Sequence, residues 1–438
     1  MEISNDLRDR SLGILNEFLR LESVSAGNSC INETASYLKD LLNDLGINSE
    51  IRRSTGNPVV IGRIDSRSRR IIIYNHYDVQ PADPLDEWKT DPFNPMMIGK
   101  RLYARDVSDN KGTLIARLIG IYQALKDKIP VSTTFLYEGE EEIGSPNLEN
   151  FIKSNKNIIN GDSLIMEGGT LMGSRPVISL GVKGLLYIEL SYEIGSSDVH
   201  SSMAPVVENP AMEIIKAISA LSDGTDITIP GFYKDIRNLT EDEINIIKEY
   251  PVDMENIKRS LGVDNLKKEG SYEYAMSLFT EPTFNIDGFS SGYSSKGSKT
   301  IIPKRAVAKI DMGLVPDQDP NSIYRNILYK LDSVHFKGTV KMLGAEYPVR
   351  TSPDGDLSRA MIESAETVYK IRPVIIINSP GTQPMGLFTR YLKIKDAVSA
   401  IGVGDEHSRA HAPNESIDID NFFLAIKHTY EFIKMYYH

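Results

Sequence analysis

The first half of the chain alternates helix-like and strand-like hydrophobic patterns. Residues 6–22 and 32–46 carry apolar side chains at helical spacing: Leu12, Leu15 and Leu19, then Tyr37, Leu38, Leu41, Leu42 and Leu45. Gly46 supplies a stop for the second helix. Strand-like runs follow at 50–53, 59–64 and 71–74. The last, Ile71-Ile72-Ile73-Tyr74, is apolar at every position, as in a strand buried on both faces. A loop rich in Pro and Asp covers 81–95, a helix is expected over 110–128, and further strands over 131–137 and 163–166.

After Gly184 the pattern changes. Residues 185–192 alternate apolar and polar positions, as a half-buried antiparallel strand does. A helix at 210–221, strands at 282–287 and 305–314, a helix at 320–332 and a strand at 338–344 complete a β-α-β-β-α-β unit. The stretch 225–280 is polar with weak periodicity and reads as a surface insertion. From 348 the chain returns to α/β character, with helices at 355–370, near 384–393 and from 418, and strands at 374–377 and 397–401. The expected fold is therefore α/β. A catalytic domain of residues 1–183 and 348–438, with a mixed sheet flanked by helices, receives an inserted α+β ferredoxin-like domain of residues 184–347.

Composition narrows the classes. At 438 residues the chain exceeds what one hydrophobic core supports. Its 41% hydrophobic and 25% charged content is that of a globular protein. A net charge of -11 argues against nucleic acid as the main partner. The single cysteine, Cys30, excludes an internal disulfide and a cysteine-based zinc site, and reads as a free structural thiol rather than a nucleophile. The N-terminal Met-Glu-Ile-Ser-Asn-Asp has no basic or apolar leader pattern, and no apolar run reaches the roughly 18 residues of a membrane span. The expectation is a cytoplasmic protein with no membrane partner.

Candidate chemistry lies in short acidic and histidine-bearing segments, four of which follow expected strands or precede a helix: His76-Tyr77-Asp78, Asp109-Asn110-Lys111-Gly112, Glu140-Glu141-Glu142, and Met166-Glu167-Gly168-Gly169. A fifth is His411-Ala412-Pro413-Asn414-Glu415. Ligands of open α/β sheets bind at the carboxyl ends of strands. Each segment alone has an ordinary reading. Asp109 could simply cap a helix, and Asp78 could orient the His76 ring in any polar loop. Three adjacent glutamates repel one another unless something positive is near, which divides the work between a metal ligand and a neighbouring general base. His407 competes with His411. Together, two histidines and several carboxylates suit a pair of divalent cations.

In this order the segments resemble the co-catalytic zinc peptidases that include carnosine dipeptidases, glutamate carboxypeptidases, aminoacylases, acetylornithine deacetylase and succinyl-diaminopimelate desuccinylase. The likeness extends to Trp88 with Asp91-Pro92-Phe93, to Leu102-Tyr103-Ala104-Arg105, and to Thr300-Ile301-Ile302-Pro303. The resemblance implies two divalent metal ions, zinc first and cobalt or manganese as alternatives. His76 and Glu167 would hold one, Glu142 and His411 the other, and Asp109 would bridge them. Asp78 would orient His76, and Glu141 would be the general base. The inserted domain would be a lid that forms a homodimer. Its His200, in Asp198-Val199-His200-Ser201-Ser202, would reach the partner's site and stabilise an oxyanion. Substrates would be small peptides or N-acyl amino acids, contacted by Asn378, Gly381 and Thr382.

The sequence departs from that pattern in places. Ala104-Arg105-Asp106 stands where Gly-Arg-Gly is usual, and Ser202 where a glycine follows the lid His-Ser. Arginines that clamp a substrate carboxylate are replaced by Gly313 and Asn378. Alternatives to a peptidase are a deacylase, a catalytically silent metal-binding protein on the same fold, and a two-metal phosphoesterase, which would lean more on histidines and cationic groups.

Overall fold

The computed structural model describes residues 1–27, 29–66 and 68–437. A nine-stranded mixed sheet runs in the order Asn48–Arg52, Val59–Ile64, Thr133–Glu138, Ile71–His76, Ser163–Met166, Asp396–Ser399, Arg175–Ser179, Val374–Ile376, with Leu171–Met172 paired beside Arg175–Ser179. Its middle four strands, Thr133–Glu138 to Asp396–Ser399, are parallel. Their alternate residues enter two different cores. Ile71, Ile73, Phe135 and Tyr137 pack with helices Asn5–Leu19, Ile31–Asp44, Lys111–Lys126 and Ile419–Tyr437, while Ile72, Tyr74, Leu136 and Leu164 pack with Leu148–Ser154 and Met385–Leu392. The uninterrupted apolar run at 71–74 is thus the mark of a strand covered on both faces.

The strand Ile71–His76 is longer than the apolar run that announces it, because His76 itself pairs with Glu138 in the neighbouring strand. Arg117, on the largely buried helix Lys111–Lys126, lies beneath the carboxyl ends of the parallel strands. Its guanidinium donates to the carbonyls of Tyr74, Met166, Gly168, Ala400 and Ile401, and to Oδ1 of Asn75, at 2.5–3.3 Å.

The second sheet is antiparallel, in the order Asn285–Ser291, Arg305–Leu314, Gly184–Glu193, Thr339–Glu346. With helices Pro210–Leu221 and Pro320–Ser333 on one face it has the ferredoxin-like arrangement. Leu186, Ile188 and Leu190 are buried there, and the residues between them are not, as the alternation predicts. The two crossings between the sheets, Gly181–Val182 and Val349–Arg350, pair with each other.

Two expectations change. The stretch 225–280 is more than a polar surface insertion. It holds helices Glu241–Glu249, Met254–Leu261 and Ser271–Thr280, and Ile247, Ala275 and Phe279 form a small core against Ile377. The helices are short and share that core, so none shows a long apolar stripe. Glu243, fully buried in the first of them, meets Arg237 at 2.5 Å and Arg350 at 3.6 Å. Second, beyond the expected 81–95 loop, where no element was read from the sequence, the chain forms a hairpin, Met96–Ile98 with Arg101–Tyr103. The strand Ser416–Asp418 adds to this hairpin and draws the 405–415 loop over the sheet. Among the described residues, no helix is long and apolar enough to cross a membrane.

His428, at 0% exposure on the helix Ile419–Tyr437, is pushed down by burial to about 4. The unfolded chain therefore takes up a proton below about pH 6.5 that the folded chain refuses until about pH 4. Folding stability is expected to fall by on the order of 3 kcal/mol across that window. Urea unfolding of the wild type and of His428→Phe at pH 7 and pH 4.5 checks this. The wild type should lose more stability than the variant between the two, and equal losses would contradict it.

Candidate metal centre

Four of the acidic and histidine segments arrive at one place because the parallel strands end together. His76 closes its strand. Glu141 and Glu142 lie in the turn Glu141–Ile143 just past Thr133–Glu138, and Glu167 follows Ser163–Met166. Asp109 immediately precedes the helix Lys111–Lys126 but does not cap it; its carboxylate faces the histidines instead. Oδ1 lies 3.4 Å from Nε2 of His76, and Oδ2 lies 3.1 Å from Nε2 of His411. His76 Nε2 is also 3.5 Å from Glu167 and 4.0 Å from Glu141, and His411 Nε2 is 3.3 Å from Glu142. His407, three-quarters exposed, pairs only with the adjacent Glu406 and stands outside the cluster.

Ligand atoms fall into three close groups, each within 4.8 Å: His76 with Glu141 and Glu167, Asp109 with Glu142 and His411, and His76 with Asp106 and Glu142. The donor set of imidazoles and carboxylates is one that divalent cations accept. Both carboxylate oxygens of Asp106 are buried without a hydrogen-bond partner, so the protein alone leaves them unsatisfied. The residues present therefore fit a bound metal.

The electrostatics agree. Burial works against a charged His76, yet Glu167, Asp109, Glu141 and Asp78 together raise it well above its ordinary value. Hydrogen bonds to Asp109 and Glu142 raise His411 to about 10. Burial works to raise Asp109, but the same two histidines hold it well below the usual carboxylate range. Burial lifts Glu141 to about 6, with Glu142 and Asp109 adding to the rise against the pull of His76. Burial and the charge of Glu141 push Glu167 well up.

Neighbours hold these groups. Asp78 was expected to orient His76 with its carboxylate. Instead its backbone carbonyl lies 2.9 Å from His76 Nδ1, while the carboxylate, 3.6 Å away, accepts the backbone N–H groups of Glu141 and Glu142 at 3.1 and 3.0 Å. Asp78 thus sets the ring and the glutamate turn together. A hydrogen-bond chain runs from Arg117 through Asn75 and Asn110 to Oε2 of Glu167, the Asn75–Asn110 and Asn110–Glu167 steps being 2.6 and 2.8 Å. Sequence reasoning passed over two further positioning residues. Glu415 accepts the backbone N–H groups of Asp106, Ser108 and Asp109 at 2.8–3.1 Å and pairs with buried Arg105 at 3.0 Å. The signal was present in the Asn-Glu that closes the His411 segment.

Other candidates stand elsewhere. Gly381 and Thr382 lie on an exposed loop next to Gln383, whose amide reaches the carbonyl of Glu167 at 3.5 Å. Asn378 does not meet the expectation of a substrate contact. It is fully buried, accepts from Nε of Arg350 at 2.6 Å, and donates to the carbonyls of Val349 and Val182 at 2.8 and 3.2 Å. Its amide is consumed in tying the two crossings between the sheets. His200 is exposed on a short strand, Val199–His200, paired with Ile301–Ile302, and its Nδ1 lies 2.9 Å from the Ser202 hydroxyl; it belongs to none of the three ligand groups.

A sheet that ends in such a cluster defines a metal-dependent hydrolase, and comparison with known proteins specifies which. The chain belongs to peptidase family M20/M25/M40, whose profile matches residues 72–435, and is a metallopeptidase. It is 27% identical to the Cys-Gly metallodipeptidase dug1 of Schizosaccharomyces pombe, covering 97% of this chain and 95% of that one. It is 28% identical to the human Beta-Ala-His dipeptidase, over 84% and 76% of the two chains. The M20 family metallo-carboxypeptidase Sso-CP2 from Sulfolobus solfataricus superimposes with a TM-score of 0.92 at 50% identity, covering 98% of this chain and 99% of that one.

The raised histidines make metal binding a proton exchange. If His76 and His411 ligate a cation, the protons that their acidic neighbours favour on them would be displaced. Calorimetric titration with zinc in buffers of different ionisation enthalpy should then report net proton release. Release of none would show that the histidines are already neutral or do not bind.

Proposed function

We propose that the chain is an exopeptidase that hydrolyses dipeptides and other short peptides with two divalent cations, zinc being the expected metal. His76 and Glu167 hold one cation, Glu142 and His411 the other, and Asp109 spans both. The observation that carries the reading is the Asp109 carboxylate, which turns a different oxygen to each histidine. The printed names of the relatives, dipeptidases and a carboxypeptidase, favour peptide substrates over N-acyl amino acids.

Bound there, the cations lower the pKa of a water and polarise the scissile carbonyl. Glu141 stands beside His76 and Glu167 without being needed as a ligand. As a carboxylate beside the cations it would take the water's proton and return it to the leaving amine. Asp78, through the two N–H groups it accepts, fixes Glu141 against the site. The loop carrying Gly381 and Thr382 lines the substrate's approach beside Glu167. A carboxylate-gripping role falls to neither Asn378 nor Arg350, which are committed to the crossings between sheets. The catalytic domain comprises 1–183 and 348–438, and the inserted domain of 184–347 is a lid through which the chain dimerises. His200 is offered by that lid to the partner's site, where it stabilises the tetrahedral oxyanion.

Two measurements test this. Glu141→Ala should bind metal as the wild type does and lose turnover by about 100- to 10,000-fold on a panel of dipeptides, short peptides and N-acyl amino acids, with a phosphate ester as control. Normal turnover by the variant would remove Glu141 from its role, and wild-type activity confined to the acyl amino acids would replace the peptidase reading. For the lid, His200→Ala and Glu141→Ala are each expected to be inactive alone. Refolded together, they should recover about a quarter of wild-type activity, because half the dimers then hold one complete site built from both chains. No recovery, with dimers formed, would place His200 outside the partner's site.

A further inference from the structure

Asp106 occupies a place shaped for glycine. Its φ is +68°, in the left-handed region that disfavours residues with a side chain. Its side chain is 0% exposed, and neither oxygen has a hydrogen-bond partner. A buried polar group left unpaired is a further cost, larger if it is charged. The chain carries both costs at a position where the family's Gly-Arg-Gly pattern avoids them. The positive groups that act on Asp106 are His76 and Lys111. Lys111 does not satisfy it, since its ammonium donates to the carbonyl of Leu21 at 2.6 Å. One oxygen of Asp106, one of Glu142 and a ring nitrogen of His76 nevertheless lie within 4.8 Å of one another, a grouping that could hold a metal ion after a small closing-in of the side chains.

We propose that Asp106 is a further metal-binding carboxylate of the cluster, acting with His76 and Glu142; this rests on the metal reading given above. His76 belongs to one proposed ligand set and Glu142 to the other, so Asp106 adds its charge where the two sets meet. An extra anionic oxygen shifts the preference of the site toward oxygen-seeking cations such as manganese, relative to a site with glycine there.

The test uses the full chain, stripped with chelator and titrated with cobalt(II), whose visible absorption reports its coordination. Wild type is compared with Asp106→Asn, which keeps the shape and removes the charge, and with Asp106→Gly, which suits the backbone. Each variant should bind cobalt at least tenfold more weakly at one site and show a changed visible spectrum, with circular dichroism unaltered. A wild-type spectrum in the folded variants overturns the proposal even if affinity falls, because a charge acting only through space does not alter coordination. Should Asp106→Asn fail to fold, Asp106→Gly decides alone. If wild type itself takes up no cobalt, the metal reading fails, an outcome distinct from failure of the Asp106 proposal.

Discussion

The guanidinium of Arg117 is fully buried where three parallel strands end, and it gathers those ends. Carbonyls at the end of a parallel strand have no further strand to accept from, so burying them without donors would be costly. Arginine presents five donors in a rigid fork, enough to serve all three chains at once. Burial lowers it only to about 10, so it stays charged at neutral pH. That fixed charge lies under a group of carboxylates and connects to Glu167 through the amides of Asn75 and Asn110. Strand ends and the acids of the candidate site are therefore aligned by one buried side chain.

Above that support the protein concentrates negative charge that it does not itself neutralise. Asp109, Glu142 and Glu167 are answered by two histidines, and the histidines are driven to hold protons as a result. Metal and proton then compete for the same seats. The fold tolerates the crowding because Glu415 and Asp78 each collect backbone N–H groups from the turns that present the ligands. The turns are fixed by neutral donors, which leaves the ligand atoms free for a cation.

Periodicity reveals what repeats, and here it located the parallel strands and the strands of the ferredoxin-like unit. Ile71–Tyr74 and the alternating 185–192 are legible because burial on two faces or one writes itself into the residue pattern. The helices within 241–280 are not, because each is short and buries only a few side chains. The ligand segments were legible by their order along the chain, while their partners were not. Nothing local in Leu-Ile-Ala-Arg117 shows that the arginine will meet carbonyls more than 250 residues away. Asn378 illustrates the opposite error: placed beside a substrate loop by sequence, it is turned inward by Arg350. Asp106 was visible as a departure from a glycine pattern, but only the structure shows that its carboxylate is buried with neither oxygen hydrogen-bonded.

The two histidines of the cluster differ in one respect that shapes how the site meets solution. His76 ends a central strand at 1% exposure, whereas His411 sits on a loop with half its side chain open to water. A ligand that can swing away gives its cation an exit; one locked in a sheet does not. In the proposed two-metal arrangement the His411 half would therefore exchange its ion with the surroundings more readily than the His76 half. Scarce metal would then leave such a protein loaded on a single side.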